Sequence, residues 1–192
     1  ASGAPDEGLR GLVENALEEA GVLLTHGPEI APRDFIEAQP AIASRALSFS
    51  DFLARHDQQI DLDVLFPFAR WVPPPGLHGK RYDTRFYLAR LPEGASAGHD
   101  GNEATTSGWI TPSEAIARAD RQEAAVMFPT RRNLERLAQH GSIDALIAHA
   151  METPIVTVQP EVGQTPAGRV LRIPIEAGYG VDEVLVEGMP RA

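Results

Sequence analysis

The sequence predicts an α+β fold, with helices and strands layered around one sheet, and three observations predict it. Apolar residues make up 43% of the 192-residue chain, enough for a core. Helical and strand-like patterns are interleaved over roughly the first three quarters of the sequence. After Thr153 the pattern changes to short apolar runs separated by Pro and Gly. The expected organisation is one domain over residues 1–152 and a β-rich extension over residues 153–192.

Element by element, a helix is expected from about Asp6 to Ala20. Leu9, Leu12, Val13, Ala16, Leu17 and Ala20 gather on one side of its wheel, and Gly21 suits the C′ position, where positive φ is wanted. "GVLLTHG" reads as a strand or a buried connection. "APRDFIEAQPA" carries a short helix with Pro32 near its start, and "SFSDFLARHD" another, capped by Ser48 or Ser50. "LFPFARWVPPPG" is a strand stopped by Pro73, Pro74 and Pro75. "KRYDTRFYLARL" is the clearest strand, with Tyr82, Thr84, Phe86 and Leu88 on one face and Asp83, Arg85, Tyr87 and Ala89 on the other. A turn-rich loop, "PEGASAGHDGNE", precedes a short strand, "ATTSGWI". "TPSEAIARAD" has Thr111 as N-cap, Pro112 at N1 and Glu114 at N3. "PTRRNLERLAQHG" is a helix closed by Gly141, and "SIDALIAHAM" one capped by Ser142. "PIVTVQPEV", "RVLRIPIEA" and "DEVLVEGM" read as three short strands.

The charge balance narrows the function classes. Seventeen basic and 27 acidic residues give a formal net charge of −10. That opposes general binding to nucleic acid polymers or anionic membranes, which need clustered Lys and Arg. A few local arginines or a metal ion still allow a small anionic substrate. No Cys is present, so disulfides, thiolate metal sites and thiol nucleophiles are excluded. No apolar run approaches the ~20 residues of a membrane span, and no signal peptide is visible. A soluble, cytoplasmic protein is expected.

The candidate chemistry begins in the first helix, where Asn15, Glu18 and Glu19 stand at i, i+3 and i+4, opposite the apolar side. Magnesium takes hard oxygen ligands, usually a few carboxylates with water and phosphate oxygens, so the set suits a metal. The plain alternative is a solvated helix face. Elsewhere, Arg81 and Arg85 flank Asp83, and arginine holds phosphate by a bidentate fork; the competing reading is an Arg85–Asp83 pair. Glu103 is either a ligand or base, or a solvated loop glutamate. Trp71 and Trp109 are expected in the core. The six His are scattered, with His78 and His99 in loops and no pair at helical metal spacing. Asp61 and Asp63 are expected on one strand face.

These residues carry a resemblance. "ENALEEAGV" resembles the end of the Nudix box, with Glu18 and Glu19 on the paired glutamates, Gly21 on the glycine and Val22 on the last apolar position. Glu14 replaces the family's Arg, and Asn15 its first glutamate. "PFARWVPPPGLHGKRYDTRFYLARLPEG", "HDGNEATTSGWITPSEAIAR" and "FPTRRNLERLA" resemble the body of the coenzyme A and acyl-CoA diphosphatase-like subgroup. The resemblance covers about residues 9 to 140. It implies an α/β/α sandwich with a mixed sheet flanked by helices, incomplete at the N-terminus because the strands before the catalytic helix are missing. It further implies a Mg²⁺- or Mn²⁺-dependent hydrolase of a nucleoside diphosphate-X or CoA-like pyrophosphate bond. Glu18, Glu19 and Asn15 would hold the metal, Glu19 and Glu103 would act in catalysis, and Arg81 and Arg85 would bind a small diphosphate substrate. A catalytically weak or inactive Nudix-like binding or structural module is the alternative. A homodimer or a partner chain completing the sheet is also expected.

Overall fold

The computed structural model describes residues 7–74, 82–93 and 108–185. The fold is α+β: among the described residues, helices accompany one mixed and two antiparallel sheets. The described residues fall into two compact units, one drawn from Ala1–Leu65 and Ala89–Trp109, the other from Phe66–Leu88 and Ile110–Ala192.

In the first unit, α1 (Glu7–Ala20) ends as the sequence predicts. Gly21 has φ 59°, and the Val22 N–H donates to the Leu17 carbonyl at 3.1 Å. This is the long bond of a Schellman cap, and the two residues it joins sit in the same buried core. The buried stripe of α1 runs through Val13 and Leu17, while Leu12 is 63% exposed and Ala16 is also exposed. The apolar arc expected from the wheel is thus rotated, because α2 and α3 cover only one of its sides. Helix α2 (Pro32–Ala43) continues past Pro40, which falls in its final turn. Helix α3 (Phe49–Arg55) is capped by Ser48, whose hydroxyl accepts from the Asp51 N–H at 3.0 Å. Phe35, Phe49, Phe52 and Ile42 close this core.

Strands β1 (Thr25–His26) and β2 (Gln59–Ile60) pair antiparallel. Buried Gln58 ties them together, accepting from the Thr25 hydroxyl at 2.6 Å and donating to the Pro28 carbonyl at 2.5 Å. Gly27 makes this approach possible: at φ 151° a Cβ would lie 2.6 Å from the Asp57 carbonyl oxygen. Asp61 and Asp63 lie in a turn, not a strand; the Asp63 N–H donates to Asp61 Oδ1 at 3.0 Å.

In the second unit, β3 (Phe66–Trp71) is flanked by β4 (Thr84–Leu88), antiparallel, and β5 (Thr157–Val158), parallel. A bulge between Pro67 and Ala69 accommodates the proline, which cannot donate to a ladder. Of the face expected on β4, Phe86 and Leu88 pack on the core, while Tyr82 and Thr84 are exposed beyond its reach. Helices α4 (Pro112–Asp120) and α6 (Ile143–Glu152) start at the expected caps, Thr111 and Ser142. Each hydroxyl accepts from the N–H three residues on, at 3.2 Å. Helix α5 (Phe128–Leu137) ends before Gly141, capped at Ala138. The segment after Thr153 supplies β5, β6 (Glu161–Thr165), β7 (Gly168–Arg172) and β8 (Glu183–Leu185). The last three form an antiparallel sheet, and a short 3₁₀ turn, Ile175–Ala177, precedes β8. The strand expected at 104–110 lies largely outside the described residues, and its last three residues are not in a strand. Trp109 is 79% exposed, so only Trp71 of the two tryptophans is a core residue. No helix among the described residues is long and apolar enough to cross a membrane.

Candidate functional site

Residues 15, 18 and 19 lie in the last two turns of α1, on continuous helical backbone that keeps their i, i+3, i+4 spacing. Their side chains fall outside the described residues, as do Arg81, Glu103, His78 and His99. Two carboxylates and one amide oxygen form a hard-oxygen donor set, which fits Mg²⁺ or Mn²⁺. Neighbouring Glu14 is turned toward α3, where its carboxylate accepts from the Ser50 hydroxyl at 3.4 Å. Among the described residues no group of three or more His, Asp or Glu could hold a metal ion.

Arg85 is exposed on β4, with Arg70 of β3 as its cross-strand partner. Asp83 does not pair with Arg85. Its carboxylate is gripped by Arg70, with Nε donating to Oδ1 at 2.8 Å and Nη2 to Oδ2 at 2.7 Å. The Arg70 hydrogen bonds hold the Asp83 carboxyl below its ordinary range, with a smaller push from the charge of Arg85. The sequence reading missed Arg70, because only the β3–β4 register brings residues 70 and 83 together.

The core side of β3 is fixed by polar groups that sequence reasoning also missed. The Trp71 Nε1–H donates to the Tyr179 hydroxyl at 2.9 Å, and that hydroxyl donates to Asn133 Oδ1 at 2.8 Å. Burial pushes the Tyr179 phenol up, against an opposing pull from the Trp71 hydrogen bond. Arg136, 5% exposed, donates to the Phe68 carbonyl at 3.1 Å and stacks 4.6 Å from the Phe68 ring centroid. Asn133 and Arg136 stand at i and i+3 on α5, but residues 71 and 179 are far from them in sequence, so no local signal could have found the whole cluster. Arg70 therefore projects from a strand anchored on either side of it, at Phe68 and at Trp71.

His140 and His149 are also brought together, with ring centroids 4.7 Å apart. Their spacing of nine residues is not a helical one; the turn between α5 and α6 makes the contact. His140 Nε2 is buried without a hydrogen-bond partner.

Comparison with known proteins finds similarity to two diphosphatases. The chain is 28% identical over 156 residues to acyl-coenzyme A diphosphatase NUDT19 from Gallus gallus, covering 70% of this chain and 41% of that protein. It is 28% identical over 195 residues to the Homo sapiens protein of the same name, covering 92% of this chain and 52% of that protein. The chain thus spans about half the length of these relatives or less. No family model matches it, and no solved structure matches it significantly. The similarity to these diphosphatases supports a relationship between this chain and the Nudix family.

Proposed function

We propose that this chain belongs to a divalent-metal-dependent hydrolase that cleaves the pyrophosphate bond of a CoA-like or nucleoside diphosphate-X substrate. The observation that carries the reading is similarity over 92% of the chain to a protein named acyl-coenzyme A diphosphatase. The end of α1 is compatible with it, since the helix runs through residues 18 and 19 before the cap at Gly21 stops it.

In this reading Glu18 and Glu19 would hold the cation, with Asn15 adding a neutral carbonyl oxygen. A bound Mg²⁺ or Mn²⁺ supplies Lewis-acid polarisation of a phosphoryl oxygen. Glu103 takes the proton of the attacking water, and Glu19 shares in orienting that water. Diphosphate binding is assigned to Arg81 and Arg85, whose guanidinium groups suit phosphate oxygens. Water adds to one phosphorus, the bridging P–O bond breaks, and two phosphomonoesters leave.

The test is incubation of the chain with acyl-CoA and Mg²⁺ or Mn²⁺, with products resolved by mass. Two phosphomonoester halves are expected. Glu103→Gln should slow their formation by about 10²- to 10⁴-fold, the range for loss of a positioned general base. Absence of both products with either metal would contradict the reading.

A further inference from the structure

We propose that Arg70, Arg85 and Thr157 form a diphosphate-binding row on the exposed face of the β4-β3-β5 sheet, with Asp83 holding its affinity down. The proposal rests on the reading above for its ligand class, and on the sheet for its geometry.

Register makes the row. Arg70 is paired with Arg85 on β4 and with Thr157 on β5. Directly paired residues project to the same face of a sheet. Burial agrees: Arg85 and Thr157 are exposed and Arg70 is half-exposed, while the next residue pair, Trp71 and Val158, is buried on the opposite face. Three hydrogen-bond donors therefore stand in line on adjacent strands, about 4.8 Å apart from one strand to the next.

Two like charges directly opposite one another cost stability. The chain keeps that cost on β3 and β4 while carrying a net charge of −10. Asp83 reduces it without cancelling it, so Arg70, Arg85 and Asp83 together keep one net positive charge. The fork to Asp83 uses the Nε–H and one Nη2–H of Arg70. The other three of its five N–H groups are not used by that fork. The Arg85 guanidinium forms no side-chain hydrogen bond among the described residues.

A diphosphate fits this pattern better than a single carboxylate. Two guanidinium groups can each take a pair of phosphate oxygens, and the Thr157 hydroxyl supplies a further donor. The Asp83 carboxylate repels the same anion and competes with it for Arg70. Its effect is to weaken ground-state binding, which suits a site that must release phosphorylated products.

The test is calorimetric titration of inorganic pyrophosphate into the full chain, with chelator present to exclude metal. Saturable binding is expected. Arg70→Gln and Arg85→Gln should each weaken it by about tenfold, and Asp83→Asn should tighten it by about threefold to tenfold. Thr157→Val, a change at an exposed position, should weaken it about threefold and keeps the test open if Arg70→Gln disturbs the sheet. Near-UV dichroism of buried Trp71 reports whether each variant is folded. No saturable binding at millimolar pyrophosphate, or unchanged affinity in the folded arginine variants, would overturn the proposal. Arginine-dependent pyrophosphate binding without acyl-CoA turnover would support the row and count against the hydrolase reading. Turnover with arginine-independent binding would do the reverse.

Discussion

Tyr179 connects a buried donor, the Trp71 indole N–H, to a buried acceptor, Asn133 Oδ1, with one hydroxyl. Tyr179→Phe leaves the Trp71 indole N–H and Asn133 Oδ1 without that partner, which should cost about 1–3 kcal/mol. Urea denaturation at neutral pH would check it; a loss below a few tenths of that would mean water replaces the hydroxyl. A second residue-scale effect is set by His140. Burial, then the charges of His149 and Arg136, pushes its imidazole below the ordinary 6.5. The folded state thus favours neutral His140, and the unfolded chain takes up its proton more readily. The resulting stability is fully present above about pH 6.5 and is lost as pH falls through the lowered folded value. Thermal melts between about pH 7 and pH 5 should show a falling midpoint, and His140→Gln should flatten that part of the profile. Asp83 and Glu114, whose carboxyls are held low by arginine hydrogen bonds, lose their contributions only at still lower pH.

At the scale of elements, caps decide where helices begin and end. Thr111→Ala removes the acceptor for the Glu114 N–H and should cost about 1 kcal/mol. Gly21→Ala forces a Cβ into the left-handed region at φ 59° and should cost about 1–2 kcal/mol. Chemical denaturation of each variant measures both, and a neutral Gly21→Ala would show that α1 can end another way. These features were legible in the sequence because they are local: Ser48, Thr111, Ser142 and Gly21 act on backbone groups within a few residues. The faces of elements were less legible. A helical wheel groups Leu12 with Val13 and Leu17, but the neighbours of α1 decide which of them is covered. Trp109 shows the same limit, because size and apolarity favour burial without requiring it.

At the scale of the whole molecule, the mixed order of helices and strands correctly gave an α+β fold, since layering follows from element order. Register was beyond its reach. The Arg70–Asp83 fork, the Trp71–Tyr179–Asn133 chain and the His140–His149 contact all join residues that only tertiary pairing brings together. The proposed metal set is local instead, since residues 15, 18 and 19 share one helix at i, i+3 and i+4. The proposed metal chemistry depends on that helix. Its most direct test is titration of Mn²⁺ into the purified chain at neutral pH, beside Glu19→Gln. Saturable binding that the variant loses is the predicted result. Equal and negligible binding in both chains would contradict the claim that α1 holds a metal.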